Sequence, residues 1–450
     1  MRKTIFSIIF ISIAFLSSAQ GIHSDSITLS GTVLNDASTP LKPNVRFSTF
    51  NQDDPPVFVN INADNTFSKR IKITTPTLYK LTYGGYYVMF LATPNEPEIK
   101  FKITDKVGLK SLNLEQSKEN DAYYAFRDEM FQFIDSMKYV GQTFASNNAE
   151  AIVQANRIIE KHNGYCTNLK QINQGTFAAN VLFGSFMMNP FSDKQPFKKQ
   201  IAEHFFDNVN FADSSLFVIK DMTLIFSDYF DFFADSSAAS KKWFFPYIFD
   251  KTKGTYLSQK ELGLLFIDNL TRGKREHYLQ PFTDYLINQK TILYSNLVLA
   301  ERINLLANTL PGKPFFEVSG VDVNDQPISL SETVKKAKLT MLIFWEPDCS
   351  HCQKEMPKFI ALYEKYRSQG FDVFAVSIGN DKDKWRNFIN TNSLVWHNGI
   401  LPTDPSVYSK YYLQSTPITV LIGNDGKIKS RFTVTEELEG NIERHLKKGK

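Results

Sequence analysis

The spacing of hydrophobic and polar positions divides the 450-residue chain into three regions. Residues 27–106 contain short runs in which apolar and polar side chains alternate, for example at Val57, Val59 and Ile61, with turn residues between the runs. A period of two is typical of strands that bury one face. The Gly84-Gly85 pair separates two such runs as a hairpin turn would. The pattern predicts about seven strands in a small β-sandwich.

Residues 120–310 instead repeat hydrophobic side chains at alternating gaps of three and four, which places them on one face of a helix. The first such series is Tyr123, Phe126, Met130, Phe133, Met137 and Val140. More than half of the 39 phenylalanines lie in this region. An aromatic stripe lines either a core or a ligand groove, and we interpret this one as core. Cys166 stands alone here and is interpreted as a small buried residue without a catalytic role.

After a linker at residues 311–314, strand-like and helix-like patterns alternate and end in a hairpin, which predicts an α/β domain. Strands are predicted at 316–323, 327–330, 339–345, 371–378, 418–422 and 428–432, and helices at 350–367, 383–390 and 436–446. The expected fold is multidomain. It has a β-sandwich-like domain at 20–106, an α-helical aromatic-rich region at 107–310 and an α/β domain at 311–450.

The first 19 residues have the pattern of a secretory signal peptide. Arg2 and Lys3 precede a short apolar stretch at residues 5–16, and Ser17-Ser18-Ala19 supplies the small residues expected before cleavage near Ala19. The apolar stretch is shorter than the ~20 residues that a membrane-spanning helix needs. An uncleaved N-terminal anchor is the alternative. We expect an exported protein that does not span the membrane after cleavage, in a compartment where cysteine pairs can be oxidised.

Composition and charge narrow the function further. Hydrophobic residues make up 42% and charged residues 22%, so each domain can bury a core. The 51 Lys and Arg residues against 47 Asp and Glu give a net charge of +4, which falls to +2 once Arg2 and Lys3 leave with the signal. This balance gives no electrostatic reason to expect a nucleic-acid partner. Three cysteines are too few for a disulfide-built scaffold.

Two of the cysteines carry the candidate chemistry. Cys349 and Cys352 are separated by two residues, directly after a predicted buried strand and at the start of a predicted helix. Unpaired backbone N–H groups and the helix dipole at such a position stabilise a thiolate and lower a cysteine pKa. Since the thiolate is the species that attacks disulfides, Cys349 is predicted as the nucleophile. Cys352, one turn deeper, is placed to attack the resulting mixed disulfide.

Metal sites, haem attachment sites and structural disulfides can also use two closely spaced cysteines. A structural zinc site needs about four ligands, and no second Cys or His pair is spaced to complete one. Covalent haem attachment needs a His directly after the second cysteine, where Gln353 stands. A copper-handling site and a purely structural disulfide remain as alternatives. We predict redox exchange, with no metal and no cofactor.

The C-terminal region resembles the thioredoxin superfamily, specifically the exported TlpA-like and ResA-like thiol–disulfide oxidoreductases. The resemblance covers residues 311–450 and rests on Trp345, the Cys349 and Cys352 pair, Pro357 and Ser415-Thr416-Pro417. It implies a thioredoxin-like fold for this region. The β-rich start and the helical middle resemble the N-terminal extensions of Bacteroidetes members of the group, which implies no defined activity for them.

The resemblance also implies roles for individual residues. In the family, the proline that matches Pro417 is cis and packs against the cysteine pair, and the residue that matches Thr416 offers backbone hydrogen bonds to the substrate chain. An ordinary Thr-Pro turn is the alternative. Glu355 matches a glutamate that exported members place near the pair, where a partly buried carboxylate could take the Cys352 proton. A solvated helix glutamate is the alternative there.

Trp345 and His351 are the further residues predicted to bind the substrate. A protonated His351 would stabilise the Cys349 thiolate and make the disulfide more oxidising, whereas Asp348 would oppose it. These opposed charges predict a reduction potential between the extremes of the superfamily, about −270 and about −120 mV. Ile343 occupies the place of the buried aspartate of cytosolic thioredoxins, so that proton acceptor is missing.

The leading hypothesis is a periplasmic thiol–disulfide oxidoreductase. Its predicted partners are exported proteins with disulfides and a possible membrane electron donor. One alternative is an exported partner-binding or ligand-binding protein with a redox-sensitive thioredoxin-like domain. A peroxidase on the same fold is a third hypothesis, weakened because Glu346 stands where peroxiredoxins place a Thr or Ser.

Overall fold

The computed structural model describes residues 25–36, 40–49, 55–106, 109–234, 238–271, 273–401, 405–432 and 438–447. The predicted signal peptide lies outside these residues. The chain forms two compact units, one of residues 1–125 and 169–180 and the other of residues 126–168 and 181–450. Within the described ranges, no helix is both long enough and apolar enough to cross a membrane.

The first unit contains a β-sandwich of two four-stranded sheets. Its strands are β1 (Ser26–Asn35), β2 (Asn44–Thr49), β3 (Val57–Asn60), β4 (Thr66–Lys72), β5 (Thr77–Tyr83), β6 (Tyr86–Ala92), β7 (Glu98–Lys106) and β8 (Leu109–Glu115). The sheet orders are β4-β1-β7-β8 and β3-β2-β5-β6. Alternating apolar residues from both sheets form the core, in which the Phe90 and Phe101 rings lie 4.9 Å apart. The predicted sandwich is confirmed, with eight described strands instead of about seven.

Helices follow the sandwich along the chain. They are α1 (Lys118–Thr143), α2 (Asn148–Ile172), α3 (Phe197–His204), α4 (Asp221–Asp228), α5 (Ala238–Asp250), α6 (Tyr256–Leu270), α7 (Leu279–Asn288), α8 (Lys290–Ser295) and α9 (Leu297–Ala307). Phe226, Phe245 and Phe266 are completely buried and pack ring against ring at 4.9–5.6 Å. The interpretation of the aromatic residues as core is confirmed, since they contact one another and exclude solvent.

The C-terminal domain is built on a seven-stranded sheet. Its strands are β9 (Ser319–Val321), β10 (Pro327–Ser329), β11 (Leu339–Trp345), β12 (Phe371–Ser377), β13 (His397–Ile400), β14 (Ile418–Gly423) and β15 (Ile428–Phe432). The order is β10-β9-β13-β12-β11-β14-β15. Strand β11 is parallel to β12 and antiparallel to β14. The helices are α10 (Leu330–Lys336), α11 (Ser350–Tyr366), α12 (Lys382–Thr391), α13 (Pro405–Lys410) and α14 (Leu438–Lys447). The predicted multidomain class with a C-terminal α/β domain is confirmed.

Three short elements of this domain were not predicted from the sequence. Strand β13 has four residues, α13 has six and α10 has seven, too few for a periodic pattern to stand out. The strand predicted at 327–330 ends at Ser329, because Leu330 already begins α10. The strand predicted at 316–323 is shorter than expected and covers only Ser319–Val321. The remaining predicted elements agree with the structure to within one or two residues.

A buried ion pair joins the C-terminal sheet to the helical region inside the second unit. Arg431 on β15 places Nη1 3.3 Å from Oε1 of Glu276, which lies in the short 3₁₀ turn Gly273–Tyr278. Its Nη2 donates to the carbonyl oxygen of Tyr412 at 3.2 Å. The two charged side chains are 3% and 10% exposed. Burial lowers the Arg431 pKa, and the Glu276 carboxylate partly offsets this lowering.

Candidate active site

The central strand β11 leads directly to the cysteine pair. All seven residues of β11 are buried, because neighbouring strands pair with both of its edges and helices cover the sheet. The strand ends at Trp345, and α11 begins at Ser350. The residues between them lie at the carboxyl end of the parallel strands, where α/β sheets place their functional sites.

Cys349 is the N-terminal cap of α11. Its backbone is extended (φ −76°, ψ 108°), and its Sγ accepts a hydrogen bond from the backbone N–H of Cys352 at 3.1 Å. The Cys349 carbonyl accepts the N–H of Gln353 at 3.0 Å, which is the first bond of the helix. The thiol is half-buried, so a substrate sulfur can approach it. The sulfur thus occupies the place that a Ser or Asp side chain takes in an ordinary helix cap.

The helix start stabilises the thiolate form of Cys349. Partial burial acts to raise its pKa, but hydrogen bonds to the sulfur, including those from Cys352 and from backbone N–H groups, outweigh burial. The net result is a pKa below the ordinary value of a cysteine. Cys349 therefore has the exposure and the electrostatic environment of an attacking thiolate.

Cys352 has the opposite environment, one turn further along the helix. Its side chain is completely buried, and burial together with the neighbouring Cys349 thiol raises its pKa to about 12. Both cysteines are free thiols in the structure. Cys352 therefore holds its proton more firmly than Cys349 does.

The loop before β14 forms the opposite wall of the site. The Thr416–Pro417 peptide bond is cis, Thr416 is half-buried and Pro417 is buried. The Cys349 thiol donates to the Thr416 carbonyl oxygen at 3.5 Å. The structure thus places the predicted nucleophile against Thr416, which the cis bond joins to Pro417.

Glu355 lies inside the domain on the same helix. Its side chain is 6% exposed, and its Oε1 lies 2.8 Å from Nζ of Lys358. The alternative of a solvated helix glutamate is therefore wrong. Ile343, in the place of the aspartate of cytosolic thioredoxins, is also fully buried.

The charges around the nucleophile lie at the surface. His351 and Asp348 are both exposed, on either side of Cys349. Lys384, in the first turn of α12, places Nζ 2.7 Å from Oδ2 of Asp348. Sequence reasoning missed Lys384, because only the fold brings α12 beside the cysteine loop. The negative charge next to the thiol is compensated by this lysine.

Trp345 requires a correction. It was predicted to bind the substrate, but its side chain is completely buried beneath the site and lies 4.9 Å from the Phe388 ring. It is the last residue of β11 and points into the core cluster that also contains Cys352. We therefore assign Trp345 to the support of the cysteine loop and not to contact with substrate.

Cys166 lies in the helical region, away from the cysteine pair along the chain and in a different core. It is 2% exposed, and burial raises its pKa to about 12. Its Sγ lies 3.7 Å from Nε2 of His162, and this ring stacks on Phe133. The absence of a nucleophilic role for Cys166 remains our prediction. Among the described residues, no group of three or more His, Cys, Asp or Glu side chains is arranged to hold a metal ion.

Comparison with known proteins finds relatives of the C-terminal domain. Residues 311–446 match the model of the AhpC/TSA family. The thiol-disulfide oxidoreductase ResA of Bacillus subtilis is 33% identical over 114 residues, which cover 25% of this chain and 62% of that protein. The ResA protein of Geobacillus kaustophilus is 32% identical over 111 residues, covering 25% and 63%. The chain thus spans less than two thirds of the length of these relatives.

A solved structure is also similar to this domain. It is the thioredoxin domain of a thiol-disulfide oxidoreductase from Bacteroides vulgatus, which is 25% identical. The match covers 30% of this chain and 97% of that one, with a TM-score of 0.29. The C-terminal third is similar to ResA and to the AhpC/TSA family, and the resemblance indicated by the sequence motifs is confirmed for that part.

Proposed function

We propose that this protein is an exported thiol–disulfide oxidoreductase that exchanges disulfides with exported proteins through its Cys-Ser-His-Cys site. The observation that carries the proposal is the contrast between the two thiols. Cys349 caps a helix, is half exposed and has a lowered pKa, while Cys352 is buried one turn deeper with a raised pKa. This arrangement supports attack by one thiol and resolution by the other.

The first step joins the protein to its substrate. The Cys349 thiolate attacks one sulfur of the substrate disulfide, and a new S–S bond forms between them. The substrate S–S bond breaks, and its other sulfur leaves as a thiolate with the bonding electrons. The hydrogen bond that the Cys349 sulfur accepts at the helix start, together with its lowered pKa, favours the thiolate.

The substrate chain would lie along the loop before β14. Thr416 borders Cys349, and we expect its backbone to hydrogen-bond an extended substrate peptide, as the resemblance implies. His351 is exposed on the first turn of α11 and would contact the substrate from the other side. Pro417 would pack against the substrate disulfide, as the resemblance implies.

The N-terminal signal pattern supports export to the periplasm. In that compartment a net reductase needs electrons from a membrane donor. The compensated charge of Asp348 and the exposed His351 support a potential between the extremes of the superfamily. A titration in glutathione buffers should therefore give a value between about −270 and about −120 mV, and a value at either end would contradict this.

Reduction of insulin disulfides tests the exchange itself. We expect the wild-type protein to catalyse it with dithiothreitol as electron source and Cys349→Ser to be inactive. Cys166→Ser is the matched control and should keep full activity, because Cys166 is buried in another core. Loss of activity in Cys166→Ser alone, or activity that persists in Cys349→Ser, would contradict the proposal. Peroxide-dependent turnover without a disulfide substrate would support the peroxidase hypothesis instead.

Trapping identifies the partner and the direction of exchange. Cys352→Ser removes the resolving thiol, so mixed disulfides on Cys349 should accumulate on non-reducing gels. The Cys349→Ser, Cys352→Ser double variant is the control and should trap nothing. Exported proteins in the trapped fraction would support the proposal, whereas equal labelling of both variants would contradict it.

A further inference from the structure

One ion pair on α11 joins a buried carboxylate to an exposed amine. The Glu355 side chain is 6% exposed and that of Lys358 is 46% exposed, with 2.8 Å between Oε1 and Nζ. Lys358 lies three residues further along the helix, at a spacing that places neighbours on one face. The lysine therefore brings a positive charge from the solvent side of the helix to a carboxylate inside the domain.

The carboxylate belongs to the same helix face as the resolving thiol. Cys352 and Glu355 are both buried and are three residues apart on α11. Cys352 must lose its proton before it can attack, and burial holds that proton firmly. A carboxylate can accept it only while ionised, and burial alone favours the neutral acid. A nearby cation reverses that preference.

We infer that Lys358 is a positioning residue that keeps the Glu355 carboxylate ionised, so that Glu355 accepts the Cys352 proton when the mixed disulfide is resolved. The inference rests on the proposed function, because it concerns the second step of that exchange. In this inference Lys358 takes no proton itself and acts on the reacting sulfurs through Glu355.

The resolving step balances as follows. The Cys352 thiol gives its proton to the Glu355 carboxylate, and its sulfur forms a bond to Sγ of Cys349. The bond between Cys349 and the substrate sulfur breaks, and the substrate cysteine leaves as a thiolate with both electrons of that bond. The two protein thiols are thereby oxidised to a disulfide, and the substrate disulfide is reduced.

A chromogenic disulfide separates this step from the first one. Reduced protein is mixed in a stopped-flow instrument with one equivalent of DTNB, the aromatic disulfide of Ellman's assay. Attack by Cys349 releases one coloured thiolate, and attack by Cys352 on the mixed disulfide releases the second. The rate of the second phase therefore reports resolution, and the first phase reports whether the nucleophile and its helix are intact.

We expect Lys358→Met to leave the first phase unchanged and to slow the second by about tenfold. Lys358→Arg should restore most of the rate, since it returns the charge. Lys354→Met is the matched control, because Lys354 is exposed on the same helix and forms no ion pair among the residues that the structure describes. Glu355→Gln should slow the second phase at least as much, and adding Lys358→Met to it should have no further effect.

Two outcomes would overturn the inference. The first is a wild-type second phase in Lys358→Met. The second is a Lys358→Met replacement that slows the second phase equally in the wild-type and in the Glu355→Gln background. Lys358 would then act without the carboxylate. A wild-type protein that releases only one coloured thiolate would overturn the exchange mechanism itself, which distinguishes failure of the proposed function from failure of this inference.

Discussion

Replacing Glu276 by Gln tests the buried ion pair between the helical region and the C-terminal sheet. The Arg431 side chain is 3% exposed, and its charged partner lies 3.3 Å away. At an effective dielectric constant of about 20, that distance corresponds to about 5 kcal/mol of attraction. Glu276→Gln removes this attraction but leaves an amide oxygen and the Tyr412 carbonyl as acceptors. We therefore expect a loss of about 3–5 kcal/mol in the free energy of unfolding.

Tryptophan fluorescence during urea unfolding can measure this loss. The four tryptophans all belong to the second unit, so they report on the part of the protein that holds the ion pair: Trp243, Trp345, Trp385 and Trp396. With a slope of about 3 kcal/mol per molar urea, the midpoint should fall by about 1 M or more. Asp425→Asn breaks a more exposed pair with Lys429 and should change the free energy by less than about 1 kcal/mol.

The double replacement of both charges is the decisive control. Glu276→Met together with Arg431→Met removes the uncompensated charge and fills the site with apolar groups, so the midpoint should return close to that of the wild type. A Glu276→Gln variant no less stable than Asp425→Asn would refute the reasoning. So would a double variant as unstable as the single one, because the loss would then come from packing and not from charge.

Three further predictions concern charges in the C-terminal domain. The lowered pKa of Cys349 predicts that the rate of its alkylation by iodoacetamide increases with pH through a midpoint below 9.0. Mass spectrometry can measure this rate, and a midpoint at or above 9.0 would contradict the prediction. Lys384→Met leaves the charge of Asp348 uncompensated and should raise this midpoint. The rise should be less than about one pH unit, because both side chains are exposed. Adding Asp348→Asn should reverse the rise. The Asp372 carboxylate, 3.6 Å from Nε2 of His397, raises the His397 pKa, so the resulting stabilisation is full below the unfolded-state pKa of about 6.5 and is lost as pH rises through the folded value. His397→Gln should therefore lower the urea midpoint more at about pH 5.5 than at about pH 9, and an equal change at both would contradict this.

The local patterns of the C-terminal domain were sufficient to predict most of its elements. The apolar run of β11 has the predicted bounds, Leu339–Trp345, because a strand buried on both faces needs no polar alternation. The turn Asn424-Asp425-Gly426 lies between β14 and β15, where Gly426 adopts a positive φ of 72°. Such elements depend on near neighbours in the chain, which a sequence displays directly.

Contacts between distant residues could not be predicted in this way. Lys384 and Asp348 are 36 positions apart, and Arg431 and Glu276 are 155 apart. A single sequence does not specify which charged side chains will form an ion pair with a distant partner, because most Lys, Arg, Asp and Glu side chains are exposed to solvent. These pairs became visible only when the sheet order placed their helices and strands side by side.

The orientation of side chains at the site was a further limit. The family resemblance assigned both Trp345 and Glu355 to the site. The alternation along β11 and the turn of α11 direct both side chains into the domain, so one supports the core and the other is a buried carboxylate. The resemblance predicted the burial of Glu355, but the sequence did not show that Trp345 points away from the substrate side.

The position of Cys349 as a helix cap links the redox state of the protein to the order of its own active-site helix. The sulfur that accepts the Cys352 N–H is the same atom that would bond to a substrate sulfur in the proposed exchange. A bonded sulfur is a weaker acceptor than a thiolate. The amide hydrogens of the first turn of α11 should therefore exchange with deuterium faster in the oxidised protein than in the reduced one, while the later turns exchange equally in both. We therefore expect the first turn of α11, which stabilises the thiolate, to be less ordered for part of each proposed exchange cycle.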